Sequence, residues 1–344
     1  MHPEHVPWRD SACPFIIAEL GVNHDGSPQR ALALVDLAHR AGADAIKLQH
    51  FRADQLLSRA ARLAVYQQRA GAADPFELLR GLELTVKQMR PVVDRAHTMG
   101  LRAIVTIFSV EVVGDAADLP WDAVKVASPD IINQPLIEAL RALGRPMILS
   151  TGAATADEVQ RAIAWLGDHP HALLHCVSAY PTPDEHAALG GIGALKRLAP
   201  GVVVGYSDHT TSVETGARAV AAGARILEKH LTHDRAAAGP DHAASLDGDA
   251  FAEYVRRARA ARPAAAAMIE PKIVLPIERD VRTVSRQSLT TTASLAAGHV
   301  LSRADLTIKR PGTGLPPFEL QRVIGRRLAR PVEADMPLTA EDVD

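Results

Sequence analysis

AHRAGADAIKLQ (38–49), AHTMGLRAIVTI (96–107) and AVAAGARILEKH (219–230) share one pattern: an Ala-rich helical stretch, a glycine, then a β-branched or apolar run. A glycine just past a helix end takes the left-handed conformation that closes the helix at little steric cost. Each stretch therefore reads as a helix returning into a strand. Working outward, short apolar runs recur at 15–20 (FIIAEL), 44–49 (DAIKLQ), 101–108 (LRAIVTIF), 123–127 (AVKVA), 146–150 (PMILS), 172–177 (ALLHCV), 202–206 (VVVGY) and 225–230 (RILEKH). Most are separated by an amphipathic Ala/Leu-rich segment, and such alternation argues for a parallel sheet. Eight units in about 250 residues match a (β/α)8 TIM barrel. The rival is an open doubly wound sheet, which usually carries a GxGxxG turn after its first strand. Here that turn reads GVNHDGS (21–27), so the barrel is favoured.

The 344 residues carry 38 Lys+Arg against 40 Asp+Glu, a net charge of -2, which leaves no basic footprint for nucleic acid. Two cysteines, Cys13 and Cys176, make no disulfide framework and fit a reducing cytosol. The polar opening MHPEHVPWRDSA lacks the apolar core of a signal peptide, and no apolar run approaches the ~18 residues that span a bilayer. A cytoplasmic, membrane-free protein is expected. The stretch 52–82 interrupts the barrel rhythm and reads as a long loop with a short helix over one barrel face. A last amphipathic helix at about 248–268 precedes a Pro/Ala-mixed linker, RPAAAAMIEPKIVLP (262–276). Beyond it RTVSRQSLTTT (282–292) and DLTIKRP (305–311) look β-like. AAGHVLSRADL (296–306) and EADMPLTAEDV (333–343) form a pseudo-repeat. The expected organisation is a catalytic barrel over 1–270, a linker over 271–281 and a small β-clip domain over 282–344.

In a barrel the C-terminal strand ends converge on one mouth, where the chemistry sits. Those positions read Glu19, Lys47 with Gln49, Thr106, Lys125 with Ser128, Ser150 with Thr151, His175 with Ser178, Ser207–Asp208–His209, and Glu228 with His230. His209 and His230 end adjacent strands, so they could share a hydrated divalent cation or simply be hydrogen-bonded mouth histidines. His39, His97, His169 and His171 fall on helix faces or connections and read as solvated, and His175 as a ligand or a satisfied core histidine. Lys47 and Lys125 lie in apolar runs. A buried lysine there serves an anion, forms a Schiff base, or pairs with a barrel carboxylate such as Glu19. With the nearby hydroxyls of Ser128, Ser150, Thr151 and Ser178 they could cradle a phosphate and a carboxylate. Glu19 is the candidate general acid/base. Asp241, in GPDHAASLD (239–247), falls near the mouth, whereas KRPGTGLPP (309–317) by itself reads as an exposed turn.

FIIAELGVNHDGS, KVASPDIINQPLI, ILSTG, LLHCVSAYPTP, GYSDHT, ILEKHLT, GPDHAASLD and KRPGTG, in this order, closely resemble the sialic acid synthase family of nonulosonate synthases. The resemblance covers nearly the whole chain, and the C-terminal part resembles the antifreeze-like (SAF) domain of those enzymes. It implies a barrel that condenses phosphoenolpyruvate with an N-acylated amino sugar, releasing phosphate and forming a nine-carbon α-keto acid. It also implies a required Mn2+ or Mg2+ ion and a homodimer whose SAF domains are swapped onto the partner barrel. By motif, His209 and His230 would hold the metal, and Lys47, Lys125, Ser128, Ser150 and Ser178 would surround phosphoenolpyruvate, with Thr106 and Asp130 also in the substrate site. Gln49, Tyr180 and Asp241 would contact the sugar, and Arg310 of KRPGTG would grip its acylamino group, which overturns the plain-turn reading. Glu19 would stabilise an oxocarbenium-like centre and guide water onto it. Three positions depart from the sialic-acid branch: Leu48 stands for its His, Asp130 for its Glu and Ser178 for its Asn. The insertion YQQRAGAADPFELLRGLEL (66–84) looks more like the branch making legionaminic acid from a 2,4-diacetamido-trideoxy hexose, so N-acetylmannosamine and that sugar both stand as substrates. Two rivals belong to other classes: a Schiff-base keto-acid aldolase with Lys125 as nucleophile, and a non-catalytic carbohydrate-binding protein.

Overall fold

The computed structural model describes residues 6–8, 13–264 and 269–344, so most of the polar opening and part of the Ala-rich linker lie outside the described residues. Eight parallel strands close a barrel in chain order. They are β1 (Phe15–Gly21), β2 (Ala45–His50), β3 (Arg102–Ile107), β4 (Ala123–Val126), β5 (Met147–Ser150), β6 (His171–Cys176), β7 (Val203–Asp208) and β8 (Ile226–His230). Each coincides with one of the apolar runs. The glycines that decided the reading do what the pattern requires: Gly42, Gly100 and Gly223 have φ of 82°, 78° and 98°. Helix starts are equally local in origin. Thr85 caps Val86–Thr98 in a reciprocal box with Gln88, and Thr155 does so for Ala156–Leu166 with Glu158.

Side chains alternate across a strand, and this period of two sorts the barrel. One parity points outward into the belt between strands and helices, where Ile16, Ala18, Leu20, Ile46, Leu48, Val124, Val126, Val204 and Tyr206 pack. The other parity points inward. Its lower layers are apolar, with Phe15, Ile17, Ala45, Ile104, Ala123, Ile148, Ala172, Leu174 and Ile226 closed from below by Trp8. One step higher the same parity brings Glu19, Lys47, Thr106, Lys125, Ser150, Cys176, Ser207 and Glu228 to the mouth.

Several expectations need correction. Segment 52–82 forms three short helices, Ala53–Leu56, Val65–Arg69 and Pro75–Gly81, because Leu56, Leu57 and Leu82 bury against Val22, Phe51 and Phe108. The last barrel helix stops at Ala260, earlier than its periodicity suggests. The run RTVS is helical, not β-like: Arg279–Ser285 is a helix held by its tertiary contacts, with Arg282 and Arg286 four residues apart on Glu158. His169 and His171 are half-buried and bond the carbonyls of Arg145 and His169 rather than standing in solvent. His175 is a buried histidine, its ring beside that of Tyr206. It lies outside the barrel against Gly191, where a Cβ would stand 2.4 Å from the ring.

The C-terminal domain pairs β9 (Ser288–Thr291) with β10 (Leu306–Lys309), antiparallel, around a small core of its own that includes Leu289, Leu301, Ile308 and Leu338. The pseudo-repeat is structural. Ser302 with Asp305 and Thr339 with Asp342 build matching capping boxes on the short helices Arg303–Asp305 and Ala340–Asp342. Within the single chain this domain docks on its own barrel: Arg310 N–H donates to the Leu56 carbonyl at 2.8 Å, and Ser58 N–H donates to the Arg310 carbonyl at 3.0 Å. No helix among the described residues is long and apolar enough to cross a membrane.

Candidate active site

The barrel mouth holds an open cleft. Most of the candidate side chains named from the sequence line it; Asp130, Thr151, His175, Ser178 and Asp208 are buried beside it without lining it. Lys47, from β2, pairs with Glu19 of the neighbouring β1 and donates to Thr106 Oγ1 of β3 at 2.9 Å. Burial lowers its pKa to about 7. Lys125, from β4, crosses the barrel to Glu228 Oε1 at 2.5 Å, and Ser207 Oγ donates to the same oxygen at 3.0 Å. Burial would raise the Glu228 carboxyl, but Lys125 and Lys47 hold it down at about 2. Both lysines are thus paired with carboxylates at the cleft floor.

Beside them lies a hydroxyl cradle. Gly152, in the loop after β5, donates its N–H to Ser128 Oγ at 2.9 Å. A Cβ on Gly152 would stand 2.3 Å from Ser178 Oγ and 2.9 Å from both Ser128 Oγ and Cys176 Sγ, so only glycine leaves this space open. Ser150 Oγ and Ser178 Oγ are buried without hydrogen-bond partners among the described residues. Unpaired buried hydroxyls of this kind are what an oxygen-rich anion would satisfy.

Across the cleft, the rings of His209 and His230 lie 5.5 Å apart, with Tyr180 4.2 Å from His209. His209 Nδ1 is fixed by the Val177 carbonyl at 2.8 Å, which leaves Nε2 for another partner. His230 Nδ1 is buried without a hydrogen bond, and Asp241 Oδ2 stands 3.5 Å from it. Burial holds His230 well below its ordinary pKa, so it is the neutral, lone-pair form that binds metal. Among the described residues no group of three or more His, Cys, Asp or Glu could enclose an ion. Two imidazoles with open remaining positions do fit a divalent cation that also takes water and substrate.

Arg310, which the KRPGTG run alone would leave on an exposed turn, is brought into the cleft over the Phe108 ring, 5.4 Å from its centroid. Asp130 is fully buried, and desolvation raises its pKa to about 7 against the pull of Arg310 and Arg286. Gln287 donates to its Oδ1 at 3.0 Å, while Oδ2 has no partner among the described residues. Gln49 Nε2 stands 3.5 Å from Glu19 Oε1. Leu48, by contrast, packs in the outer belt and touches nothing in the cleft.

Some cleft residues, or their roles, escaped the sequence reading. Glu228 was legible as an inward strand position two residues before His230, but its role as the Lys125 counter-ion needed the closed barrel. Tyr66 caps the cleft from the helix Val65–Arg69, its ring 5.0 Å from Tyr180, and nothing periodic marks it. Val281 and Ser285 reach the cleft from the connecting helix.

Known proteins agree with this geometry. Residues 34–270 match the NeuB family and residues 286–344 match the SAF domain. The chain is 33% identical to the N,N'-diacetyllegionaminic acid synthase of Legionella pneumophila over 98% of this chain and 97% of that protein. It is 30% identical to the human N-acetylneuraminate-9-phosphate synthase over 96% of this chain and 92% of that one. The crystal structure of the spore coat polysaccharide biosynthesis protein SpsE of Bacillus subtilis superposes with a TM-score of 0.81 at 30% identity, covering 98% of this chain and 96% of that one. This chain belongs to the NeuB family, a closed parallel barrel carrying a C-terminal SAF domain.

Proposed function

We propose that the protein is a nonulosonate synthase that condenses phosphoenolpyruvate with an N-acylated amino sugar, releasing phosphate and a nine-carbon α-keto acid. The observation that carries this reading is the convergence in one cleft of Lys47, Lys125 and an unfilled hydroxyl cradle, facing two imidazoles. The lysines and the hydroxyls of Ser128, Ser150 and Ser178 bind the carboxylate and phosphate of phosphoenolpyruvate. Gln49, Tyr180, Asp241 and Arg310 orient the open-chain sugar so that its aldehyde carbon meets the methylene of phosphoenolpyruvate. A divalent ion held by His209 and His230 would polarise that aldehyde as a Lewis acid. Glu19, held by Lys47, stabilises the positive charge that develops at C2 of phosphoenolpyruvate and takes a proton from the water that adds there. The tetrahedral product then sheds phosphate into the cradle.

The wall opposite the cradle is apolar, built from Val22, Phe51, Leu56, Leu79, Leu82 and Phe108. It suits a C6 methyl and acetamido methyls. Among the candidate sugars this favours the 2,4-diacetamido-2,4,6-trideoxymannose used for legionaminic acid over N-acetylmannosamine. A Schiff-base aldolase is disfavoured because Lys125 Nζ is engaged by Glu228 Oε1 at 2.5 Å rather than free to attack a carbonyl. An inert carbohydrate-binding protein would have no use for a buried, partnerless cradle. The exchange of SAF domains between two copies would keep the Leu56–Arg310 docking with a second chain supplying Arg310, and a cytoplasmic site of action fits the substrates. The test is phosphate release from phosphoenolpyruvate with each sugar, with and without Mn2+. The diacetamido sugar should give the highest kcat/KM, and the metal should be required. No release with any hexosamine would overturn the reading.

A further inference from the structure

The cradle is not closed by the barrel alone. Its bounding loops follow β5 and β6, and in both a main-chain N–H is donated to one oxygen of Glu278: Ala153 N–H at 2.6 Å and Ser178 N–H at 2.8 Å, both to Oε1. The second oxygen accepts the Leu275 N–H at 2.8 Å. Glu278 is 1% exposed and lies in the segment between the barrel and the C-terminal domain, 125 and 100 residues along the chain from its two loop partners. Four and eight residues further on, the same segment grips the first loop again. Arg286 Nη2 donates to the Ala153 carbonyl at 3.1 Å, and Arg282 also donates to that carbonyl. Ala153 has φ +48°, a left-handed conformation that a residue with a Cβ keeps only where its surroundings impose it. Here both its N–H and its C=O are held by the connecting segment.

We propose that Glu278 is a positioning residue of the phosphoenolpyruvate site. Its carboxylate ties the loops after β5 and β6 together and thereby fixes Gly152 and the Ser178 hydroxyl around the space the phosphate occupies. The proposal rests on the synthase reading above. It makes the cradle and the Arg310 loop depend on one docking event, since one continuous segment supplies both.

The test compares Glu278→Ala and Glu278→Asp with wild type, varying phosphoenolpyruvate and sugar separately. The Asp variant keeps the buried charge but withdraws it by one methylene from the two N–H groups. Losing two charge-assisted hydrogen bonds that hold the loops should raise KM for phosphoenolpyruvate about tenfold in both variants, while KM for the sugar stays within about twofold. Glu278→Gln keeps an oxygen acceptor and should recover most of the loss. An equal rise in both KM values, or a lowered Tm with unchanged KM for phosphoenolpyruvate, would overturn the proposal. If the Ala variant does not fold, the Asp variant alone decides. Calorimetric binding of phosphoenolpyruvate without sugar separates the two readings: a wild type that binds it but releases no phosphate refutes the condensation and leaves the comparison of affinities standing.

Discussion

Substituting Gly152 by alanine isolates the cradle from the rest of the site. Gly152 needs no left-handed backbone, so the only change is a methyl placed 2.3 Å from Ser178 Oγ and 2.9 Å from Ser128 Oγ and Cys176 Sγ. The two hydroxyls are short and can rotate away, which keeps the folding cost near the low end of the ~1–3 kcal/mol typical of overpacking. Rotation, however, removes them from the anion. A hydrogen bond to a charged group contributes about 1.5–3 kcal/mol, so two lost bonds remove about 3 kcal/mol or more, roughly a hundredfold in kcat/KM for phosphoenolpyruvate. The assay is continuous phosphate release at saturating sugar, with thermal unfolding measured alongside. Gly191→Ala is the matched control: its Cβ would stand 2.4 Å from the His175 ring, a comparable overlap outside the barrel. It should lower Tm and leave the phosphoenolpyruvate kinetics within about threefold. If Gly152→Ala also stays within threefold, or if both variants lose activity equally, the cradle is not where the phosphate binds.

Glu19→Gln keeps the shape of the side chain but loses the charge beside Lys47, and should cut kcat about a hundredfold or more with little change in either KM; near-normal turnover removes Glu19 from the chemistry. Arg310→Ala removes the cation over Phe108 and should raise KM for the sugar at unchanged Tm, whereas unchanged kinetics would return the KRPGTG loop to a plain turn. Burial raises the Glu158 carboxyl, but hydrogen bonds from Arg286 and Arg282 outweigh it and hold its folded pKa well below the ordinary 4.5. A depressed pKa stabilises the fold above the unfolded value and is lost as pH falls toward the folded one. The Tm difference between wild type and Glu158→Gln should therefore be flat from pH 7 to about 5 and shrink below 4.5, and a difference independent of pH down to 3 would refute the pairing.

The barrel was legible because its signals are local: helix, glycine and strand recur within a dozen residues, and period-two alternation assigns each strand residue to the belt or the bore. The same alternation explains why the strand-end polar residues share a mouth, since Glu19, Lys47, Lys125 and Glu228 continue the inward parity begun by Ile17, Ala45, Ala123 and Ile226. What stayed hidden is set by tertiary contact. RTVS carries β-branched residues and reads as strand, yet Arg282 and Arg286 bind Glu158 only if four residues make one helical turn. Tyr66 lies in a segment with no periodicity, and the roles of Glu278 and Gln287 depend on partners a hundred or more positions away.

That hidden layer bears on which sugar the site accepts. Leu48 faces the outer belt and cannot touch substrate. Asp130 and Ser178 have short side chains, and both are met from behind by the connecting segment. Gln287 Nε2 reaches Asp130 Oδ1 at 3.0 Å, and Glu278 Oε1 takes the Ser178 N–H at 2.8 Å. A short side chain leaves either a cavity or room for a neighbour, and a cavity in a close-packed wall is costly. Here the neighbours come from the helix and turn that lead into the SAF domain. Exchanging Asp130 for Glu without changing Gln287 should therefore crowd the barrel–SAF junction before it alters sugar choice.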